Sequence, residues 1–224
     1  MGRDNTPRER QHKELERKKQ AQRASYDRIL IVSEGSKTEP NYFREICSFH
    51  RLPTANVQVH PSELGTAPIL VVQYAKKLFE QGEHNKVQRR AFEKVYAVFD
   101  RDEHGRYHEA LALAESLDGK LKNDNRQSVV FQAIASVPSF ELWLLLHYVD
   151  VHAPLHRDEA LQRLKQHFPG YDKGATNAFA TTCKHLAVAT QHAEGLAKRF
   201  TARTDPEPFT AVGELVKLLT TLRG

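Results

Sequence analysis

The stretch Ile29-Leu30-Ile31-Val32-Ser33-Glu34-Gly35 (ILIVSEG) decides the fold. Four apolar residues, three of them β-branched, run without alternation and end at an acid and a glycine. A strand that does not alternate is buried on both faces. Such strands belong to parallel sheets with helices packed on either side, so the rest of the chain is expected to supply helices in alternation with further strands. It does. Thr38-Glu39-Pro40 opens a helix, with Thr38 as its N-cap, Pro40 in its first turn and Tyr42, Phe43 and Ile46 on its apolar face. Residues 56–60 alternate as a short strand, and 66–79 read as a helix with Pro68 near its start. VYAVF (95–99) is the clearest strand in the chain. An amphipathic helix over 107–121, a strand over 128–134 and a strongly apolar helix over 140–148 follow.

The order β-α-β-α-β-α-β-α implies crossovers of one hand and a mainly parallel sheet flanked by helices. Beyond residue 150 the pattern turns helical, over 158–168, 175–200 and 211–222, punctuated by Pro169-Gly170 and Pro206-Glu207-Pro208. No strand is expected after Ile134, and no internal repeat is visible. The expected organisation is an arm over 1–27, an α/β domain over 28–150 and an α-helical C-terminal extension over 151–224.

Charge is unevenly placed. The 224 residues carry a net +5, with 40% hydrophobic and 27% charged side chains, which is ordinary globular composition. Residues 1–28 hold nine basic and five acidic side chains, so +4 of the +5 lies there and the remainder is close to neutral. The arm, almost without apolar side chains, reads as a flexible solvated tail or as a basic arm on nucleic-acid phosphates. The longest apolar run, Leu142–Leu146, is far short of a membrane span, and no secretory signal is visible, so a cytoplasmic location is expected. Two cysteines, Cys47 and Cys183, suit neither a disulfide framework nor a four-cysteine zinc site and are expected to pack as small apolar groups.

The chemistry-bearing residues fall at the strand ends. Glu34 follows the first strand, and Asp100-Arg101-Asp102-Glu103 follows the third. Open parallel sheets bind ligands beyond the carboxyl ends of their strands, so both groups lie where a site is expected. If the two strands are neighbours, their acids converge. Such carboxylates suit Mg2+ or Mn2+, and like charges gathered in one place require a cation or a proton.

A glutamate after the first strand and Asp-x-Asp after a later one resemble the TOPRIM fold of topoisomerases, bacterial primases and overcoming-lysogenization-defect nucleases. A narrower likeness covers nearly the whole chain from residue 28. ILIVSEGSKTEPNYF (29–43), VFDRDEH (98–104) and VPSFELWLLLHY (137–148), with Tyr171-Asp172-Lys173 and the segment 205–222, resemble the RloB-like family of bacterial proteins. The family pattern has Asn-Pro-Cys before Phe-Glu-Leu-Trp, where this chain has Val137-Pro138-Ser139. The resemblance implies a TOPRIM-like nuclease-type domain active in abortive-infection phage defence, often beside an ATPase. By that likeness Glu34 would be a metal ligand or general acid–base, and Asp100 and Asp102 metal ligands. Lys173 would be a catalytic or phosphate-contacting group. Lys37, Glu39, Arg101, Glu103, Glu141 and Tyr171 would stand behind the ligands or against phosphate.

The function expected from these residues is divalent-metal-dependent cleavage of phosphodiesters in nucleic acid, DNA or RNA. The alternatives are a non-catalytic nucleic-acid- or partner-binding module and a small-molecule phosphohydrolase. Gly-rich phosphate loops are missing from the sequence, so any ATP use would come from a partner, and no G-x-S-x-G elbow marks a serine hydrolase. His104 and His108 stand four apart but with Gly105 between them, which argues against zinc. His147 is expected in the core or an interface, and Trp143 and Leu144–Leu146 in the core. Glu141, a lone acid in an apolar segment, must either face solvent or be buried with a partner.

Overall fold

Every residue of strand β1 (Ile29–Ser33) is buried. Ile29 and Ile31 enter a core on one face of the sheet, while Leu30 and Val32 enter a second core on the other. Burial on both faces is why the run does not alternate, and each such aliphatic side chain contributes about 1.5–3 kcal/mol. The computed structural model describes residues 26–84, 86–101 and 105–222. The expectations for arm residues 1–25, and for Asp102, Glu103 and His104, lie outside the described residues.

Helix α1 (Thr38–Phe49) leads to β2 (Val57–Pro61), and α2 (Pro68–Gln81) leads to β3 (Lys94–Asp100). Helix α3 (Tyr107–Leu117) leads to β4 (Val130–Val137), followed by the short α4 (Phe140–Leu145). The last part holds α5 (Arg157–His167), α6 (Ala178–Thr182), a 3-10 turn (Cys183–His185), α7 (Leu186–Ala197), β5 (Phe209–Thr210) and α8 (Val212–Thr221). The sheet order is β2-β1-β3-β4-β5, with β1 to β4 parallel and β5 antiparallel to β4. This is the mainly parallel, helix-flanked α/β architecture expected.

Several local expectations are corrected. Thr38 is the first helical residue rather than the cap. Lys37 holds the cap position, and no side chain caps the helix. The Thr38 hydroxyl instead accepts the Gly174 N–H at 2.9 Å, a partner 136 residues away. The expected helix 175–200 is broken into α6, a 3-10 turn and α7. A strand after Ile134 does exist: β5 pairs Thr210 with Ser136 and Phe209 with Val137. Two residues are too few to show a strand periodicity.

The strand order reverses direction once. From β1 the chain moves outward to β2, then crosses back over β1 to β3 and on to β4. Helix α1 packs on the face of Ile29 and Ile31, whereas α3 packs on the face of Leu30 and Val32. The helices that follow β1 and β3 therefore leave on opposite faces. The point between their starts is the switch point of the sheet, where folds of this kind form the crevice that holds ligands.

The opposite end of the sheet is closed by an ion cluster. Arg28, 7% exposed, hydrogen-bonds both Glu93 and Asp124 through its guanidinium. Its N–H also donates to Glu93 Oε2 at 2.7 Å. Removing the buried guanidinium leaves two partly exposed carboxylates side by side without their shared partner, at about 3 kcal/mol for the two together. Arg28→Ala is expected to lower the melting temperature by about 6–12 °C, at about 2–4 °C per kcal/mol for a chain of this size. Calorimetry checks it, and a shift under about 2 °C would contradict this account.

Trp143 and Leu144–Leu146 are core residues as expected, and Trp143 Nε1 donates to Tyr42 Oη at 2.8 Å. Cys47 and Cys183 are free thiols packed against the first core. His147 is 2% exposed, and its Nδ1 donates to the Trp143 carbonyl at 3.0 Å. Its Nε2 has no hydrogen-bond partner among the described residues. Burial pushes its pKa down to about 4, against the upward pull of two backbone carbonyls. Among the described residues no helix is long and apolar enough to cross a membrane.

Candidate active site

Acids gather at the β1/β3 switch point. β1 ends at Ser33, aligned with Val98, and the Glu34 N–H extends the ladder to the Val98 carbonyl at 2.9 Å. β3 runs on to Asp100, whose N–H donates to Glu34 Oε2 at 3.0 Å. The two sequence-identified acids therefore meet across neighbouring strands, through one carboxylate and one backbone donor.

Two further carboxylates join them from helix starts. Glu39 lies in the first turn of α1 and is 6% exposed. Its Oε2 has no hydrogen-bond partner among the described residues. It folds back onto Gly35, where an added Cβ would stand 2.1 Å from Glu39 Oε2. A side chain at 35 and the Glu39 carboxylate therefore compete for one space. Gly35→Ala must displace the Glu39 carboxylate, at a cost of about 1–3 kcal/mol. Thermal unfolding is expected to show that loss, and Gly35→Ala combined with Glu39→Ala is expected to recover most of it.

Glu141, in the first turn of α4, is 3% exposed, so it is buried with partners rather than solvated. Ser139 Oγ donates to its Oε2 at 2.7 Å, and the Tyr171 hydroxyl donates to its Oε1 at 3.3 Å. Lys173 Nζ lies 3.9 Å from the same Oε1. Tyr171 is itself buried. Burial first, then the charges of Glu141 and Glu39, pushes its phenol pKa up, so it remains a proton donor.

The electrostatics record this crowding. Asp100 has its pKa raised well above the usual carboxylate range, first by burial and then by the charges of Glu39, Glu34 and Glu141. The Phe140 N–H, which donates to it, pulls the other way. Glu39 is raised to about 6, chiefly by burial. Its own backbone N–H opposes that rise, as does the charge of Lys173, while Glu141 adds to it. Gathered carboxylates of this kind take up either protons or a cation.

The other basic residues are placed differently. The stem of Lys37 packs against Gly174. Arg101 turns to the C-terminal segment, where its Nε donates to Asp205 Oδ2 at 2.9 Å, and it stacks over the Tyr107 ring at 5.1 Å. His108 Nε2 reaches the other oxygen of Asp205 at 3.1 Å. Sequence reasoning quoted Ser139 and Asp205 within the family resemblance but named neither as a site residue. It named Tyr171 and Lys173 by resemblance alone, because contact with Glu141 joins elements 30 or more residues apart. No local pattern signals that pairing.

The donors gathered here are of the chemistry that a divalent ion takes. All are hard oxygens, one buried carboxylate oxygen is unpartnered, and Mg2+ needs only one or two carboxylates because it keeps several waters. Among the described residues, no three His, Cys, Asp or Glu side chains stand where they could hold one ion. Asp102 is not among those residues.

A sheet of order β2-β1-β3-β4 with acids gathered at its β1/β3 switch point defines an open, doubly wound α/β protein, and the acids stand at the strand ends, where such folds hold ligands. A family model described as RloB-like protein matches residues 29–219. The chain belongs to the RloB-like family. A search of the curated proteins found no match, and neither did a search of the solved structures.

Proposed function

We propose that this chain is a divalent-cation-dependent phosphodiesterase of TOPRIM type that cleaves nucleic acid, as an effector of bacterial phage defence. The meeting of Glu34 and Asp100 at the β1/β3 switch point carries the reading, because these acids lie in a cluster that must hold either protons or a cation. Glu34 and Asp100, with Asp102, would hold Mg2+ or Mn2+. Such an ion supplies Lewis-acid polarisation of a phosphoryl oxygen and an activated water. The chain's own groups do the rest. The Asp100 N–H fixes the Glu34 carboxylate. Ser139 and Tyr171 orient Glu141. Lys173, half exposed, presents an ammonium to phosphate oxygens. The near-neutral body supplies little attraction for phosphate, so the bound cation would provide the positive charge. A partner ATPase, as the family resemblance implies, belongs to the same proposal.

The test is a Mg2+ and Mn2+ titration against plasmid DNA, single-stranded DNA, RNA and mononucleotides. Cleavage of polynucleotide that requires the cation supports the proposal. Binding without cleavage at any cation concentration favours a non-catalytic binding module. Turnover confined to mononucleotides favours a small-molecule phosphohydrolase.

A further inference from the structure

The acid cluster has two halves. Glu34 and Asp100 come from the ends of neighbouring strands. Glu39 and Glu141 come from the first turns of α1 and α4, and both are more than nine-tenths buried. Glu141 receives hydrogen bonds from Ser139 and Tyr171, but Glu39 Oε2 receives none among the described residues. A buried carboxylate oxygen without a donor is costly unless positive charge stands near it. Lys173 brings positive charge to this half: its Nζ lies 3.9 Å from Glu141 Oε1, and its charge acts on Glu39 as well.

The lysine is held in place by its neighbours. Tyr171, 1% exposed, anchors one side of the loop through its bond to Glu141. Gly174 anchors the other: its N–H donates to Thr38 Oγ1 at 2.9 Å, and its carbonyl accepts from Asn41 Nδ2 at 3.2 Å. Position 174 has φ +86, and an added Cβ would stand 2.8 Å from Lys37 Cβ, so this path of the loop demands glycine. Both anchors reach the start of α1 or Glu141 itself, so the loop spans the Glu39–Glu141 half of the site.

We propose that the Lys173 ammonium is the resident cation of the Glu39–Glu141 half, so that the site takes one divalent ion, on the Glu34–Asp100 half. This inference rests on the cation-dependent reading above. In two-ion phosphodiesterases a second divalent ion stabilises the attacking or leaving oxygen. Here a compact point charge with three N–H donors takes that position, drawing on carboxylates behind it and open to solvent in front, with its side chain 49% exposed.

Calorimetric titration of Mn2+ into the full chain tests it. One ion per wild-type chain is expected. In Lys173→Met the two acids lose their cation, and two ions per chain are expected. Lys173→Arg keeps the charge and is expected to stay at one, and Lys173→Met with Glu141→Gln is expected to return to one. Circular dichroism establishes that each variant is folded. Two ions on the wild-type chain, or one on Lys173→Met, would overturn the inference while leaving the cation-dependent reading standing. No ion on the wild-type chain would overturn both.

Discussion

Glu34→Ala is expected to lower cation-dependent cleavage by at least about a thousandfold, or about 4 kcal/mol of transition-state stabilisation. The fold is expected to survive. Glu34 lies one residue beyond β1, and the change removes one acceptor from the Asp100 N–H, which is worth about 1 kcal/mol. Its own N–H keeps the bond to Val98. Activity and melting temperature should therefore separate, with cleavage lost and the midpoint moved by only a few degrees, at about 2–4 °C per kcal/mol. Asp102→Ala is expected to act the same way. Undiminished cleavage in either variant, with any of the substrates above, would refute the assignment of these acids.

Acid is expected to destabilise the protein through His147, and the effect can be isolated. In the folded state its pKa is held near about 4, against an ordinary value of 6.5. The folded protein thus resists a proton that the unfolded chain accepts. The stability it contributes is fully present above about 6.5 and is lost as pH falls toward 4, at about 3 kcal/mol in all. Glu39 works in the opposite direction. Its folded pKa of about 6 lies above the ordinary 4.5, so its contribution is fully present below 4.5 and is lost as pH rises through 6, at about 2 kcal/mol. Asp100 shares that sign. The wild-type curve is a difference of these terms, which substitutions resolve. His147→Leu is expected to gain about 3 kcal/mol on wild type between pH 7 and pH 4 in urea unfolding. Glu39→Gln is expected to raise the cation-free melting temperature at pH 7.5 by about 4–8 °C. Stability–pH curves running parallel to wild type in both variants would contradict the assigned shifts.

Much of the fold is legible in the sequence, for one physical reason. Strands buried on both faces leave continuous apolar runs, and the helices between them must carry an apolar stripe. Ile29–Val32 and Val95–Phe99 show this directly. What escapes is decided by contacts at a distance. β5 is two residues long and exists because Ser136 and Val137 offer an edge to pair with. Thr38 fails as a cap because Gly174 takes its hydroxyl. The expected helix over 175–200 starts late and breaks, and its first turn is held by Glu45 of α1, which accepts from the N–H groups of Asn177 and Phe179.

The candidate site divides in the same way. Glu34 and Asp100 are legible because each ends an apolar run at the edge where ligands bind. Their neighbourhood with Glu39 and Glu141 is not, since α1 and α4 meet there through packing around Tyr42, Phe43 and Phe140. Sequence spacing carries no trace of that packing.

The pairing of β5 with β4, and of the 171–174 loop with α1, bears on how members of this family can exchange parts. The last third of the chain supplies a strand to the sheet and a lysine to the acid cluster. A chimaera joined near residue 150 would therefore match one parent's Glu39 and Glu141 with the other parent's Tyr171, Lys173 and Gly174. Such hybrids are expected to work only when those five positions agree, whatever the identity elsewhere.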